Sequence, residues 1–139
     1  MPFVLDASIA ACWLIDDEDN AAATVARGLI LNDHAVVPAL WWFEIRNTLI
    51  SNERRGRLTQ EDTNAALRLP AGLAITIDRL PDEASVLGLA RRHRLTAYDA
   101  AYLDVAHRHG CPLATLDRAL IRAARAEGVA LLGPPPDLR

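Results

Sequence analysis

The sequence predicts an α/β fold in which a parallel sheet is covered by helices on both faces. Two observations support this class. Short apolar runs alternate with helical patterns along the chain, as in parallel sheets joined by helical crossovers. The runs are also nearly continuous, which is typical of strands buried on both faces. Five of them occur, at residues 3–5, 35–37, 74–77, 113–115 and 129–132.

Residues typical of helix ends indicate where helices begin and end in the first part of the chain. Ser8 can cap a helix that runs through Trp13, and residues 16–20 form an acidic connector. Pro38 suits the first turn of a helix that continues to about Arg55, where a glycine follows.

The helix predicted over residues 21–31 is expected to turn Ala22, Val25 and Leu29 towards the core. The next helix opens at Thr59 with a sequence typical of a capping box. The remaining helices are bounded by caps, glycines and prolines. The last four helices are predicted at residues 59–69, 82–92, 96–109 and 120–126.

Length and composition limit the protein class. With 139 residues, half of them hydrophobic, we expect one folded domain over residues 1–139 and exclude disorder. The longest apolar run, residues 35–43, is too short to cross a bilayer, and no signal-peptide pattern opens the chain. Cys12 and Cys111 lie far apart and show no metal-ligand spacing. A reduced, cytoplasmic setting is therefore expected.

The charged residues exclude several function classes. All fifteen basic residues are arginines, so receiver domains and haloacid-dehalogenase-type phosphatases, which need a lysine, do not fit. No Gly-x-Gly-x-x-Gly dinucleotide-binding motif is present. The formal charge is −3. This mildly acidic total does not argue against a nucleic-acid substrate, because a site of several carboxylates would account for it.

Acidic residues mark a candidate site at one edge of the predicted sheet. Asp6 and Asp117 each follow a strand, and Glu44 and Asp99 lie in early turns of helices that leave the same edge. In open parallel sheets, ligands bind beyond the carboxyl ends of the strands. One cleft can therefore collect all four side chains.

Each of these residues also has a simpler explanation. Asp6 and Asp117 could be helix caps, and Asp99 could close a capping box with the threonine three residues before it. Glu44 shares a face with apolar residues and is either salt-bridged or a ligand, with Asn47 one turn away to orient it. Together they favour a divalent cation, Mg²⁺ or Mn²⁺, because carboxylates in one cleft repel each other without one. Such a site activates water for attack on phosphate.

Other polar and aromatic residues fit simpler roles. Asp104 faces Arg108 at four-residue spacing, which indicates a surface ion pair. Trp41 and Trp42 are expected in the core or a subunit interface, and the four histidines at the surface. The arginine clusters fit helix C-termini and phosphate contacts equally well. These clusters lie at residues 54–57 and 91–94.

The combined motifs resemble those of the PIN-domain ribonucleases, more closely the VapC-type toxins of toxin–antitoxin pairs. The matching segments are V-L-D-A-S, P-x5-E-x2-N-x-L, A-Y-D-A-A-Y-L and L-A-T-L-D, at residues 4–8, 38–49, 97–103 and 113–117. The resemblance implies a three-layer sandwich around a parallel sheet of about five strands. It also implies an Mg²⁺- or Mn²⁺-dependent endoribonuclease, a homodimer, and a cognate small DNA-binding antitoxin whose C-terminal segment occupies the cleft.

The resemblance assigns roles to individual residues. Asp6, Glu44, Asp99 and Asp117 match the family's acidic positions, which are both catalytic and metal-binding. Ser8 and Thr115 match the hydroxyl positions that support them. A PIN-like RNA-binding or interaction module without efficient cleavage is the alternative, and a metal-free histidine ribonuclease would cleave in EDTA. The sequence does not encode which RNA is cut or which antitoxin binds.

Overall fold

The protein is described by a computed structural model over residues 2–15 and 20–133. In these residues four parallel strands form one sheet in the order β3-β2-β1-β4. All but the last residue of the predicted acidic connector, and the tail beyond residue 133, lie outside the described residues. The strands are β1 Phe3–Leu5, β2 Ala35–Pro38, β3 Ile75–Asp78 and β4 Leu113–Ala114.

Helices flank the sheet, and the predicted α/β class is confirmed. The segment predicted as one helix over residues 59–69 forms two, because the chain turns at Leu67 between them. The described helices are α1 Ala7–Ile15, α2 Ala21–Leu29, α3 Leu40–Arg54, α4 Gln60–Ala66, α5 Arg68–Ala71, α6 Glu83–His93, α7 Ala97–His109 and α8 Arg118–Ala126.

Several of these helices begin or end at the capping residues predicted from the sequence. Thr59 and Asp62 form the predicted capping box at the start of α4. Thr96 accepts a hydrogen bond from the backbone of Asp99 at the start of α7, and Gly110 ends that helix in the left-handed conformation. Local side-chain chemistry therefore sets where α4 and α7 begin, and with them the position of Asp99.

The core lies between the central strand and the helices packed on it. All three residues of β1 are fully buried, and β1 pairs with β2 on one side and β4 on the other. Ile45 and Leu49 of α3 and Leu103 of α7 are also fully buried. The helices that carry the acidic residues are thus anchored by apolar contacts on one face, which leaves their other face towards the edge of the sheet.

The fifth strand predicted over residues 129–132 is reduced to a single bridge between Leu113 and Leu131. The backbone makes two hydrogen bonds around Leu113, with Ala130 and Leu132. Gly133 then takes a φ of +71°, and a Cβ there would lie 2.8 Å from Ala22 Cα. The close approach to α2 therefore requires glycine at this position. The partner strand β4 has only two residues, so it offers few positions for pairing.

Helix α2 turns Ala22 and part of Leu29 towards the core as predicted, but not Val25. Val25 is 45% exposed, so its predicted inward position is wrong. The buried positions are Ala22, as predicted, with Ala23 and Ala26. Small side chains allow α2 to approach α1 closely, and a valine is not needed at that contact. No helix among the described residues is both long and apolar enough to cross a membrane.

Candidate active site

All four acidic residues singled out in the sequence line one cleft of about 290 Å³ at the carboxyl edge of the sheet. Asp6 directly follows β1, and Asp117 caps the helix that follows β4. Glu44 comes from α3 and Asp99 from the first turn of α7. The cleft is also lined by Ala7, Ser8, Ala11, Asn47 and Thr48.

The carboxylate of Asp6 is the most enclosed of the four and is held by two hydroxyl groups. Ser8 Oγ and Thr115 Oγ1 donate to Asp6 Oδ2 at 2.7 and 2.6 Å. The same hydroxyl oxygens accept from the backbone N–H groups of Leu116 and Asp117 at 3.0 Å each. These four bonds tie the end of β1 to the segment that follows β4, and they fix the orientation of Asp6.

The prediction that Ser8 caps α1 is wrong. Helix α1 begins one residue earlier, at Ala7, so Ser8 lies inside its first turn. Its hydroxyl donates a hydrogen bond to the Asp6 carboxylate instead. The residue was placed correctly at the site, but its local role follows from a tertiary contact that the helix pattern alone does not encode.

Glu44 is held by Tyr102, which was not among the predicted site residues. The hydroxyl of Tyr102, on α7, donates to Glu44 Oε1 at 2.6 Å, and the tyrosine side chain is fully buried. Two signals in the sequence point to it. Tyr102 follows Asp99 by three residues on one helix face, and a buried phenol requires a hydrogen-bond partner.

Asp117 is both a helix cap and a cleft residue, whereas for Asp99 only one of the two hydrogen bonds of the predicted capping box is formed. The backbone N–H of Asp99 donates to the Thr96 hydroxyl at 3.1 Å, while its side chain lines the cleft. Asp117 Oδ1 accepts from the backbone N–H of Leu120 at 2.9 Å, as a helix cap, and Asp117 also lines the cleft. A cap hydrogen bond therefore does not remove either residue from the site.

Burial and mutual repulsion raise the pKa of three of the carboxyl groups. The pKa of Asp6 is raised by burial and, less strongly, by the charge of Asp117, and its two hydroxyl partners only partly offset this. Burial also raises the pKa of Glu44, with added repulsion from Asp6 and Asp99. The pKa of Asp99 rises for the same reasons, with Asp117 as its strongest neighbour. The carboxylates thus interact across the cleft.

The donor set fits a hard divalent cation. The groups aimed at the cleft are carboxylate, amide and hydroxyl oxygens, which Mg²⁺ and Mn²⁺ prefer. No arginine or histidine is among the described lining residues. In the described part of the chain, however, no group of three or more His, Cys, Asp or Glu side chains is arranged so that it could hold a metal ion.

Asp104 is not the surface residue that its spacing suggested. It is fully buried, and its Oδ2 accepts from Arg108 Nε at 3.0 Å, while Oδ1 has no hydrogen-bond partner among the described residues. Arg108 also donates two hydrogen bonds to Asp78 at the end of β3, and His109 contacts the same carboxylate at 2.7 Å. This Asp78–Asp104–Arg108–His109 cluster closes the end of α7 against β3.

The remaining polar and aromatic residues lie in the core, at the surface or at helix ends. Trp41 is buried as expected, and Trp42 is 43% exposed with the Arg46 guanidinium 3.7 Å from its ring centre. Both arginine clusters lie at helix C-termini, of α3 and α6. Arg92 pairs with Glu127, and His93 is partly buried beside the same carboxylate.

Comparison with known proteins identifies the family. The family model described as PIN domain matches residues 3–126. The chain belongs to the PIN domain family. Ribonuclease VapC9 of Mycobacterium tuberculosis is 35% identical over 129 residues, which cover 89% of this chain and 92% of VapC9.

Solved structures share the PIN fold. VapC20 of Mycobacterium tuberculosis, described as a sarcin-ricin loop cleaving toxin, has a TM-score of 0.63 at 17% identity, with 96% of this chain and 100% of VapC20 covered. VapBC2 from Rickettsia felis, bound to a DNA fragment from their promoter, has a TM-score of 0.64 at 14% identity over 94% of this chain and 97% of that chain. At these identities the likeness shows the fold alone.

Proposed function

We propose that this chain is an Mg²⁺- or Mn²⁺-dependent endoribonuclease, the toxin of a VapBC-type toxin–antitoxin pair that acts in the cytoplasm. The observation that carries the proposal is the placement of Asp6, Glu44, Asp99 and Asp117 along one cleft. The name of the relative VapC9, a ribonuclease that aligns with most of this chain, supports the same activity.

The chain's own residues supply oriented oxygen ligands. A divalent ion held by the four carboxylates would lower the pKa of a water and stabilise charge on the departing oxygen. Ser8 and Thr115 orient Asp6, and the helix cap orients Asp117. Attack of water in line forms a new P–O bond and breaks the bond to the 3′ oxygen, which takes up a proton. The products are a 5′-phosphate and a 3′-hydroxyl.

The test is cleavage by purified protein freed of any antitoxin. RNA should be cut in the presence of Mg²⁺ or Mn²⁺ and left intact after EDTA, and the fragments should be substrates for 5′-phosphate-dependent exonuclease. Cleavage that persists in EDTA, or 2′,3′-cyclic phosphate ends, would refute the mechanism and favour metal-free chemistry.

Partners form the second part of the proposal: a homodimer and a small DNA-binding antitoxin. Helix α3 exposes Trp42, Phe43 and Ile50, which are 43%, 67% and 37% exposed, and an apolar surface of this kind favours a protein contact. An antitoxin arginine that entered the acidic cleft would compete with metal for the same carboxylates. Light scattering that shows only monomer at micromolar concentration would count against the dimer. An adjacent small gene whose product does not suppress toxicity would count against the antitoxin.

One observation favours the alternative of a PIN-like module that binds RNA without efficient cleavage. The described carboxylates are not arranged as a ready-made metal site. The same assay separates the two functions, because the module would retard RNA in a gel at every Mn²⁺ concentration and leave it uncut.

A further inference from the structure

The hydrogen bond between Tyr102 and Glu44 makes the two oxygens of the Glu44 carboxylate different. Glu44 Oε1 accepts from the Tyr102 hydroxyl at 2.6 Å, a short bond of the kind made to a charged acceptor. Glu44 Oε2 accepts no hydrogen bond from the described residues. Glu44 is half-buried and lines the cleft. One oxygen is therefore held by the protein, and the other is available to a ligand.

The donor itself is fixed in position. Tyr102 is 1% exposed, and its ring belongs to the core cluster under the sheet edge. A rigid neutral donor can orient a carboxylate without neutralising it.

We propose that Tyr102 is a positioning residue: its hydrogen bond occupies Oε1 of Glu44, so that Glu44 offers only Oε2 to a cation. This arrangement favours binding of Mg²⁺ and Mn²⁺ over Ca²⁺ in the cleft. The inference rests on the proposed metal-dependent function. The smaller ions require near-octahedral geometry with single oxygens from each carboxylate, whereas Ca²⁺ readily takes both oxygens of one carboxylate. Blocking one oxygen of Glu44 disfavours the Ca²⁺ arrangement.

The competing explanation is that Tyr102 is only a core residue whose hydroxyl happens to find an acceptor. The two explanations predict different results for cation choice. A core role predicts that loss of the hydroxyl changes stability alone, or weakens all cations equally. A positioning role predicts that the preference between cations changes.

The experiment compares Tyr102→Phe with the wild-type protein and with Tyr98→Phe. Tyr98 is the other tyrosine of the chain, lies on the same helix, and is 67% exposed, so the control makes the same chemical change away from Glu44. Calorimetric titration of each antitoxin-free protein with Mn²⁺ and with Ca²⁺ gives the two dissociation constants. Thermal unfolding checks that each variant is folded.

In Tyr102→Phe we expect Mn²⁺ binding to weaken by about tenfold or more, in the range seen when partners of metal ligands are lost. Ca²⁺ binding should stay the same or tighten, so that the Mn²⁺ preference falls, while Tyr98→Phe matches the wild type. Glu44→Asp, which withdraws the carboxylate from the Tyr102 hydroxyl while keeping the tyrosine ring in the core, should lower the preference in the same direction and replaces Tyr102→Phe if that variant does not fold.

One result would overturn the inference while the proposed function stands: a wild-type protein that prefers Mn²⁺ and a preference that is unchanged in Tyr102→Phe, whether both ions bind as before or both weaken equally. A wild-type protein that binds neither Mn²⁺ nor Ca²⁺ would overturn the metal-dependent function and this inference together.

Discussion

The ion pair of Asp104 and Arg108 should contribute more to the free energy of unfolding than its spacing in the sequence indicates. An exposed pair at this spacing contributes about 0.3–0.5 kcal/mol. Asp104 is fully buried, however, and Arg108 is its only hydrogen-bond donor among the described residues. Replacing Arg108 with Met therefore leaves a carboxylate in the core without a partner.

The expected cost follows from burial. Removal of one partner from a buried ion pair costs about 3–5 kcal/mol. The lower end applies here, because the Arg108 side chain is 27% exposed and water can relax around the site. About 3 kcal/mol corresponds to a melting temperature roughly 10 °C lower for a chain of this size. Circular dichroism during thermal and urea unfolding measures both quantities.

Arg92→Met is the matched control. Arg92 also pairs with a carboxylate, on Glu127, but its side chain is 59% exposed, so its loss should cost no more than about 1 kcal/mol. Adding Asp104→Leu to Arg108→Met should recover part of the loss, because the buried charge is then gone. Equal destabilisation by the two Met variants, or no recovery in the double variant, would show that burial of Asp104 does not set the cost.

Further predictions concern the cleft and the pH dependence of stability. Asp6→Asn, Glu44→Gln and Asp99→Asn should each lower RNA cleavage by about 100-fold or more, since each removes a proposed ligand. Without metal, their melting temperatures should hold or rise, because repulsion is relieved. Asp117→Asn should keep the helix cap but require more Mn²⁺ for half-maximal cleavage; an unshifted Mn²⁺ titration with full turnover would make Asp117 only a cap. Burial opposes ionisation of Asp78, yet its arginine and histidine partners lower its pKa to about 2. This lowered pKa contributes stability above about pH 4 that is lost as the pH falls towards 2, and Asp78→Asn should lose that part of the acid dependence.

Much of the site could be predicted because chain direction fixes it. A parallel sheet brings the carboxyl ends of its strands to one edge, so a residue after β1 and one after β4 must approach each other. Chain direction predicted the shared edge for Asp6 and Asp117, whereas their close approach depends on the pairing of β1 with β4. The first turns of α3 and α7 start from that same edge, which places Glu44 and Asp99.

The misses have a common physical origin in contacts between distant segments. The burial of Asp104 depends on the cluster that packs the end of α7 against β3, and spacing within α7 cannot show it. The exposure of Val25 depends on how closely α2 approaches α1. The short pairing at Leu131 depends on its partner strand β4, which is distant in the chain and has only two residues. Periodicity describes one element at a time, so it does not determine these outcomes.

The protein holds buried carboxylates in two different ways, by pairing with an arginine or by hydrogen bonds from hydroxyl groups. Only the second kind leaves a charge that the proposed cation would compensate. Asp104 is paired with Arg108, so its charge is already compensated within the chain. Asp6 and Glu44 receive hydrogen bonds from hydroxyl groups, such as that of Tyr102, which orient a carboxylate but leave its charge in place. Repulsion across the cleft therefore persists, and the proposed cation would relieve it. Added Mn²⁺ should raise the melting temperature of the wild-type protein and of Arg108→Met by similar amounts, and that of Asp6→Asn by less; an equal rise in all three would mean that Mn²⁺ stabilises the protein from somewhere other than this cleft.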